Sequence, residues 1–192
     1  MGLTILVLGL AVFLVPHVFT AFRDARQQVV DRVGEGAYKA VYSLVSLIGL
    51  VLIGHGYALY RASGGIGVWY PPVWTRHLTV LLMWPAAICI VAAYSPGRIK
   101  IALKHPFLVG VKLWALAHLI SNGDLGSILL FGAVLGYAVF DRISLKRRTD
   151  PGAPPIPVGG MRNDVIAVSG GTILYLLLGG LLHPYVIGVP AF

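Results

Sequence analysis

The stretch that decides the fold is Ala40-Val-Tyr-Ser-Leu-Val-Ser-Leu-Ile-Gly-Leu-Val-Leu-Ile-Gly-His-Gly-Tyr-Ala-Leu-Tyr60, a charge-free run closed by Lys39 on one side and Arg61 on the other. A helix needs about 20 residues to cross the hydrocarbon layer, and an ion at its centre costs a few kcal/mol. A run of this length and composition therefore reads as a transmembrane helix. The same rule, applied outward, marks residues 1–22 before Arg23, and 77–97 between Arg76 and Arg98. It also marks 104–124, where Lys112 interrupts a shorter span, then 125–140 and 165–192. The last helix is expected to stop near His183-Pro184, where proline removes a donor.

Composition agrees with that reading. The 192 residues are 57% hydrophobic and only 11% charged, with a mean hydropathy of +0.83, which is too apolar for a water-soluble domain. The expected fold is all-α, a polytopic membrane bundle of about six transmembrane helices in one domain over 1–192. The first span has no basic segment ahead of it and no small-residue cleavage site, so it is expected to be a retained helix. Cys89 is the lone cysteine and sits in an apolar run, which excludes an intramolecular disulfide.

The net charge of +8 does not point to nucleic acid, because the basic residues flank the spans. Arg23, Arg26, Arg32 and Lys39 lie in the first loop, Arg98, Lys100 and Lys104 in the third, and Arg142, Lys146, Arg147, Arg148 and Arg162 in the fifth. Only Arg61, Arg76 and Lys112 fall elsewhere. Lys and Arg accumulate on the cytoplasmic side, so both termini are expected to face away from it, and Lys146-Arg147-Arg148 to meet anionic lipid headgroups. Asp150-Pro-Gly-Ala-Pro-Pro-Ile-Pro-Val-Gly-Gly is expected to be a non-helical linker, with Asn163 or Asp164 capping the helix that follows.

Six histidines stand out in so apolar a chain: His17, His55, His77, His105, His118 and His183. A polar ring inside hydrocarbon must find a partner, whether a side chain, water or a metal. Counted in depth, His105 lies by the cytoplasmic charges and His17 about 9 Å inward of Arg23; His55, His77, His118 and His183 fall in the outer half. His105 and His118, about 20 Å apart along one helix, have separate roles. His55 and His118 share a depth, and Gly54 and Gly56 beside His55 suit either a planar ligand or a close helix contact. Two imidazoles from separate helices are the minimal ligand set for a b-type haem. Lys112, seven residues after His105, pairs with a carboxylate or cofactor propionate, or else snorkels toward the interface. Ser121-Asn-Gly-Asp124 reads as a turn with Asp124 as a polar anchor, and Trp69, Tyr70 and Trp74 as an aromatic belt. No phosphate-binding loop, Gly-x-Ser-x-Gly elbow or His-Glu-x-x-His element occurs.

The block Lys104-His-Pro-Phe-Leu-Val-Gly-Val-Lys-Leu-Trp-Ala-Leu-Ala-His-Leu-Ile-Ser-Asn-Gly-Asp-Leu-Gly-Ser resembles the central motif of the NnrU family, and the six-span plan with a histidine late in the first helix is similar too. That resemblance implies a bacterial inner-membrane protein, so the side the charged loops give the termini would be the periplasm. It further implies association with nitrite and nitric oxide reduction in denitrification and with components of those reductase systems. NnrU proteins are in turn similar to the haem-b-dependent 15-cis-zeta-carotene isomerase, whose ligands carry over onto His17 and His118; the depth count makes His55 the alternative to His17. Where the isomerase has a cysteine one turn before the second histidine, this chain has Ala115. Two other readings stand beside the haem protein: a non-catalytic membrane factor for reductase assembly or expression, and a membrane methyltransferase. The latter rests on Lys104-His-Pro-x-x-x-Gly, which is similar to an S-adenosylmethionine-binding element, but the paired glutamates expected downstream are missing.

Overall fold

A computed structural model describes residues 1–148 and 159–192. Among them the regular elements are helical: α1 (Gly2–Phe19), α2 (Arg23–Val33), α3 (Glu35–Ala62), α4 (Trp74–Tyr94), α5 (Arg98–Leu103), α6 (Pro106–Ser121), α7 (Leu125–Arg147) and α8 (Met161–Leu177). A π-helical segment, Leu178–Ile187, continues α8. Five of these are long and apolar enough to cross a membrane, counting α8 with its continuation as one, and α6 is a shorter apolar helix.

Several boundaries differ from the sequence expectation. The first loop contains the helix α2, and the third contains α5. Charge-free intervals detect only what lies in hydrocarbon, and α2 is polar, with Asp24 in its first turn and Arg32 in its last, an order that complements the helix dipole. For the same reason α7 outruns residue 140 and carries Asp141, Arg142, Lys146 and Arg147 on its end. The last helix does not stop at His183-Pro184. Its hydrogen bonds widen into a π-helix, a pattern in which the proline ring is not set against a carbonyl four residues earlier, and the chain leaves it at Gly188 with φ of +77°. Neither Asn163 nor Asp164 caps α8, whose N-cap is Gly160. Asn163 Nδ2 instead donates to Pro96 O at 2.9 Å, and Ile99 N donates to Asp164 Oδ1 at 3.0 Å, so Asp164 caps α5. Most of the expected linker lies outside the described residues.

The chain divides into two compact units, one of Met1–Tyr70 with residues from 123 onward through α7, the other of Pro71–Asn122 with α8 and its continuation. In the first, α1 and α3 run antiparallel with their backbones nearly touching. A methyl group added at Gly2 or Gly9 of α1 would come within 3 Å of backbone at Tyr60 or Ile53; one at Gly49 or Gly56 of α3 would do the same at Phe13 or Leu6. In each helix the two glycines are one heptad apart, so they share a face. Lipid tails are as apolar as side chains, hence membrane helices associate through this kind of close fit rather than through burial from water. Leu6, Leu10 and Ile53 form the core there, joined by Phe13, Tyr57 and, from α7, Leu130 and Ala133. Leu44, Leu47 and Val51 of α3 are exposed, as a lipid-facing side requires.

Small residues organise the second unit in the same way. Ala86, Ala87, Cys89 and Ala92 of α4 are buried, as are Gly110, Ala115 and Ala117 of α6 and Ala167 and Gly171 of α8. Two polar bonds tie α4 to its neighbours: Thr79 Oγ1 to Ala117 O at 2.8 Å and Trp84 Nε1 to Thr172 Oγ1 at 2.9 Å. Trp74 of this unit is exposed, as are Trp69 and Tyr70 of the first.

Candidate functional site

The second unit brings two imidazoles together. His118 occupies the last turn of α6 and His183 the π-helical segment, with ring centroids 6.5 Å apart and planes inclined at 34°. Both are half-buried. His118 Nδ1 lies 2.8 Å from Trp114 O, and His183 Nδ1 lies 2.5 Å from Val189 O. A carbonyl oxygen can only accept, so each neutral ring donates through Nδ1 and carries its lone pair on Nε2. Metal-ligating histidines are held in this way, one nitrogen tied to a carbonyl and the other turned toward the metal. His118 and His183 would be the side chains to hold a metal-bearing cofactor in this unit. The Trp114 ring, 5.4 Å from that of His118, forms an apolar wall.

His17 belongs to the first unit. Its Nδ1 lies 2.6 Å from Phe13 O, the same tautomer-setting bond, and its ring is surrounded by Phe13, Tyr42 and Tyr137 at 4.3, 5.2 and 5.7 Å. His55, in the same unit, is exposed. Gly56 beside it makes the close contact with Leu6, whereas Gly54 has no neighbour within 4 Å; the Gly-His-Gly run thus serves helix packing at one of its two glycines.

His105 takes the N-cap position of α6. The turn before it is built on Lys104, a non-glycine residue at φ of +62° and ψ of −47°, a conformation that costs an L residue of order 1–3 kcal/mol. Lys112 is half-buried, and no carboxylate among the described residues pairs with it. Ala115 is fully buried. Among the described residues, no three His, Cys, Asp or Glu side chains gather into a metal site.

The sequence reading missed His183 as a partner for His118. Its expected depth was a usable signal, because counting residues from the charged loops gives both rings the same half, but the expected helix break at Pro184 concealed that the residue stays in a helix.

The family model described as NnrU protein matches residues 5–191. No curated protein and no solved structure gives a match.

Proposed function

The chain belongs to the NnrU family, and from that premise we propose that it is a b-type haem protein of the bacterial inner membrane that serves nitrite and nitric oxide reduction. The observation that carries this reading is the His118–His183 pair, two imidazoles at 6.5 Å whose Nδ1 atoms both face backbone carbonyls. When bound, haem iron supplies a centre able to exchange one electron or to take up a small ligand. His118 would ligate through Nε2, its ring orientation fixed by the bond from Nδ1 to Trp114 O. Lys112 lies six residues before His118 on α6, about 9 Å along the axis, and with His105 it is the candidate for holding the cofactor's carboxylates. His17, which the resemblance assigns as a ligand, and His55 are the ligand candidates of the first unit.

The topology proposed with this function places the loops rich in Lys and Arg in the cytosol and both termini in the periplasm. Components of the nitrite and nitric oxide reductase systems are the proposed partners. Carotene-isomerase-like chemistry is the weaker reading, because the position of the isomerase's cysteine holds the buried Ala115.

The test is haem content. The protein is expressed with ample haem supply, purified in mild detergent and extracted into alkaline pyridine. The wild type is expected to yield b haem in a constant ratio to protein, and a folded His118→Ala variant to lose it. A folded, colourless wild type would overturn the proposal.

A further inference from the structure

The first unit contains a polar cavity of about 280 Å³ at the end where α1 stops and α7 reaches its last turns, lined by Thr20, Arg23, Arg26, Tyr137, Asp141 and Arg148. Among the described residues, Arg23, Arg26 and Arg148 line it together with one carboxylate, Asp141, so this part of the lining has an excess of positive charge. Asp141 is already engaged, its Oδ1 accepting from Arg148 Nη2 at 2.9 Å. That ion pair holds the Arg148 guanidinium at the cavity wall through Nη2, and Nε is buried without a hydrogen-bond partner among the described residues. Arg26 adds a second observation. Its guanidinium lies over the face of Tyr38, 5.1 Å from the ring centroid, and a face contact of this kind positions the plane while leaving the N–H edges directed elsewhere.

We propose that this cavity binds a phosphate group, presented either by the headgroup of an anionic lipid or by free phosphate in solution. The chemistry favours phosphate because a planar fork of donors matches two of its oxygens at once. Charge-assisted bonds at a partly buried site also exceed those formed on an open surface. The site is distinct from Lys146 and Arg147, which are exposed on the neighbouring turn and do not line it. It does not depend on the haem proposal, because neither His118 nor His183 lines it.

The experiment uses the full-length protein, stripped of lipid in detergent. Phosphatidylglycerol binding is followed by native mass spectrometry, and inorganic phosphate by the shift it produces in the thermal midpoint. The variants are Arg26→Gln, Arg148→Gln and, as controls of equal charge, the single changes Lys146→Gln and Arg147→Gln. The proposal expects the pocket variants to weaken binding about tenfold, with the controls close to wild type and Arg26→Lys intermediate. A loss confined to phosphatidylglycerol identifies the lipid headgroup as the source, and a loss of the phosphate-induced shift identifies the free anion. Should Arg148→Gln fail to fold for want of its ion pair, Arg26→Gln alone decides the matter. Equal losses in the control and pocket variants, or no loss in the pocket variants, would overturn the assignment.

Discussion

Tyr57 of α3 and Ser127 of α7 meet hydroxyl to hydroxyl at 2.7 Å, and Ser127 Oγ lies 2.5 Å from Asp124 Oδ2. A carboxylate can only accept, so Ser127 donates to Asp124 and Tyr57 donates to Ser127. The other oxygen of Asp124 accepts from Ser127 N at 2.9 Å, which makes it the N-cap of α7. One carboxylate thus starts a helix and, through a fully buried serine, fastens that helix to its neighbour.

Removing the carboxylate should therefore cost more than removing the hydroxyl at the far end of the chain. Asp124→Ala loses a cap worth about 1 kcal/mol and strands a buried serine at about 1–3 kcal/mol. Tyr57→Phe removes one interhelical bond, about 0.6 kcal/mol in membrane proteins. Thermal unfolding in detergent should rank the two variants in that order, and equal midpoints would contradict the hydrogen-bond order.

The two glycines flanking His55 should behave differently. Gly56→Val places a branched side chain against the backbone of Leu6, forcing α1 and α3 apart at a cost of about 1–3 kcal/mol or more. Gly54→Val enters open space and should leave the midpoint and the elution profile on gel filtration close to wild type. Similar behaviour in both variants would refute the close packing of α1 on α3.

Lys104 offers a stabilising change. Glycine adopts positive φ without steric penalty, so Lys104→Gly should raise the thermal midpoint by the equivalent of about 1 kcal/mol, whereas Lys104→Ala keeps the strain. A lower midpoint for the glycine variant would show that the lysine side chain contributes more than its backbone costs.

The bilayer penalty on charge made the spans legible: the runs around Gly49, Cys89 and Leu130 sit inside helices because nothing else satisfies a backbone in hydrocarbon. The turn at Asn122-Gly123-Asp124 was legible too, since its residue types carry local hydrogen-bonding chemistry. Polar helices such as α2 were not, because an amphipathic segment outside the hydrocarbon leaves no charge-free interval. Asn163 or Asp164 is expected from local pattern to cap α8, yet Asp164 caps α5, a long-range contact that no local pattern encodes. Of the candidate site, His118 was found by motif. His183 was missed because Pro184 signals a helix end, while the π-helical turns carry the chain past it.

Optical spectroscopy of the purified protein tests the central claim most directly. With haem bound between His118 and His183, the reduced-minus-oxidised spectrum should show a Soret shift and a sharp α-band typical of six-coordinate, low-spin iron. His183→Ala should convert the centre to a five-coordinate, high-spin form, and His118→Ala should abolish the signal. An unaltered low-spin spectrum in His183→Ala, or no haem signal in the folded wild type supplied with haem, would contradict the account.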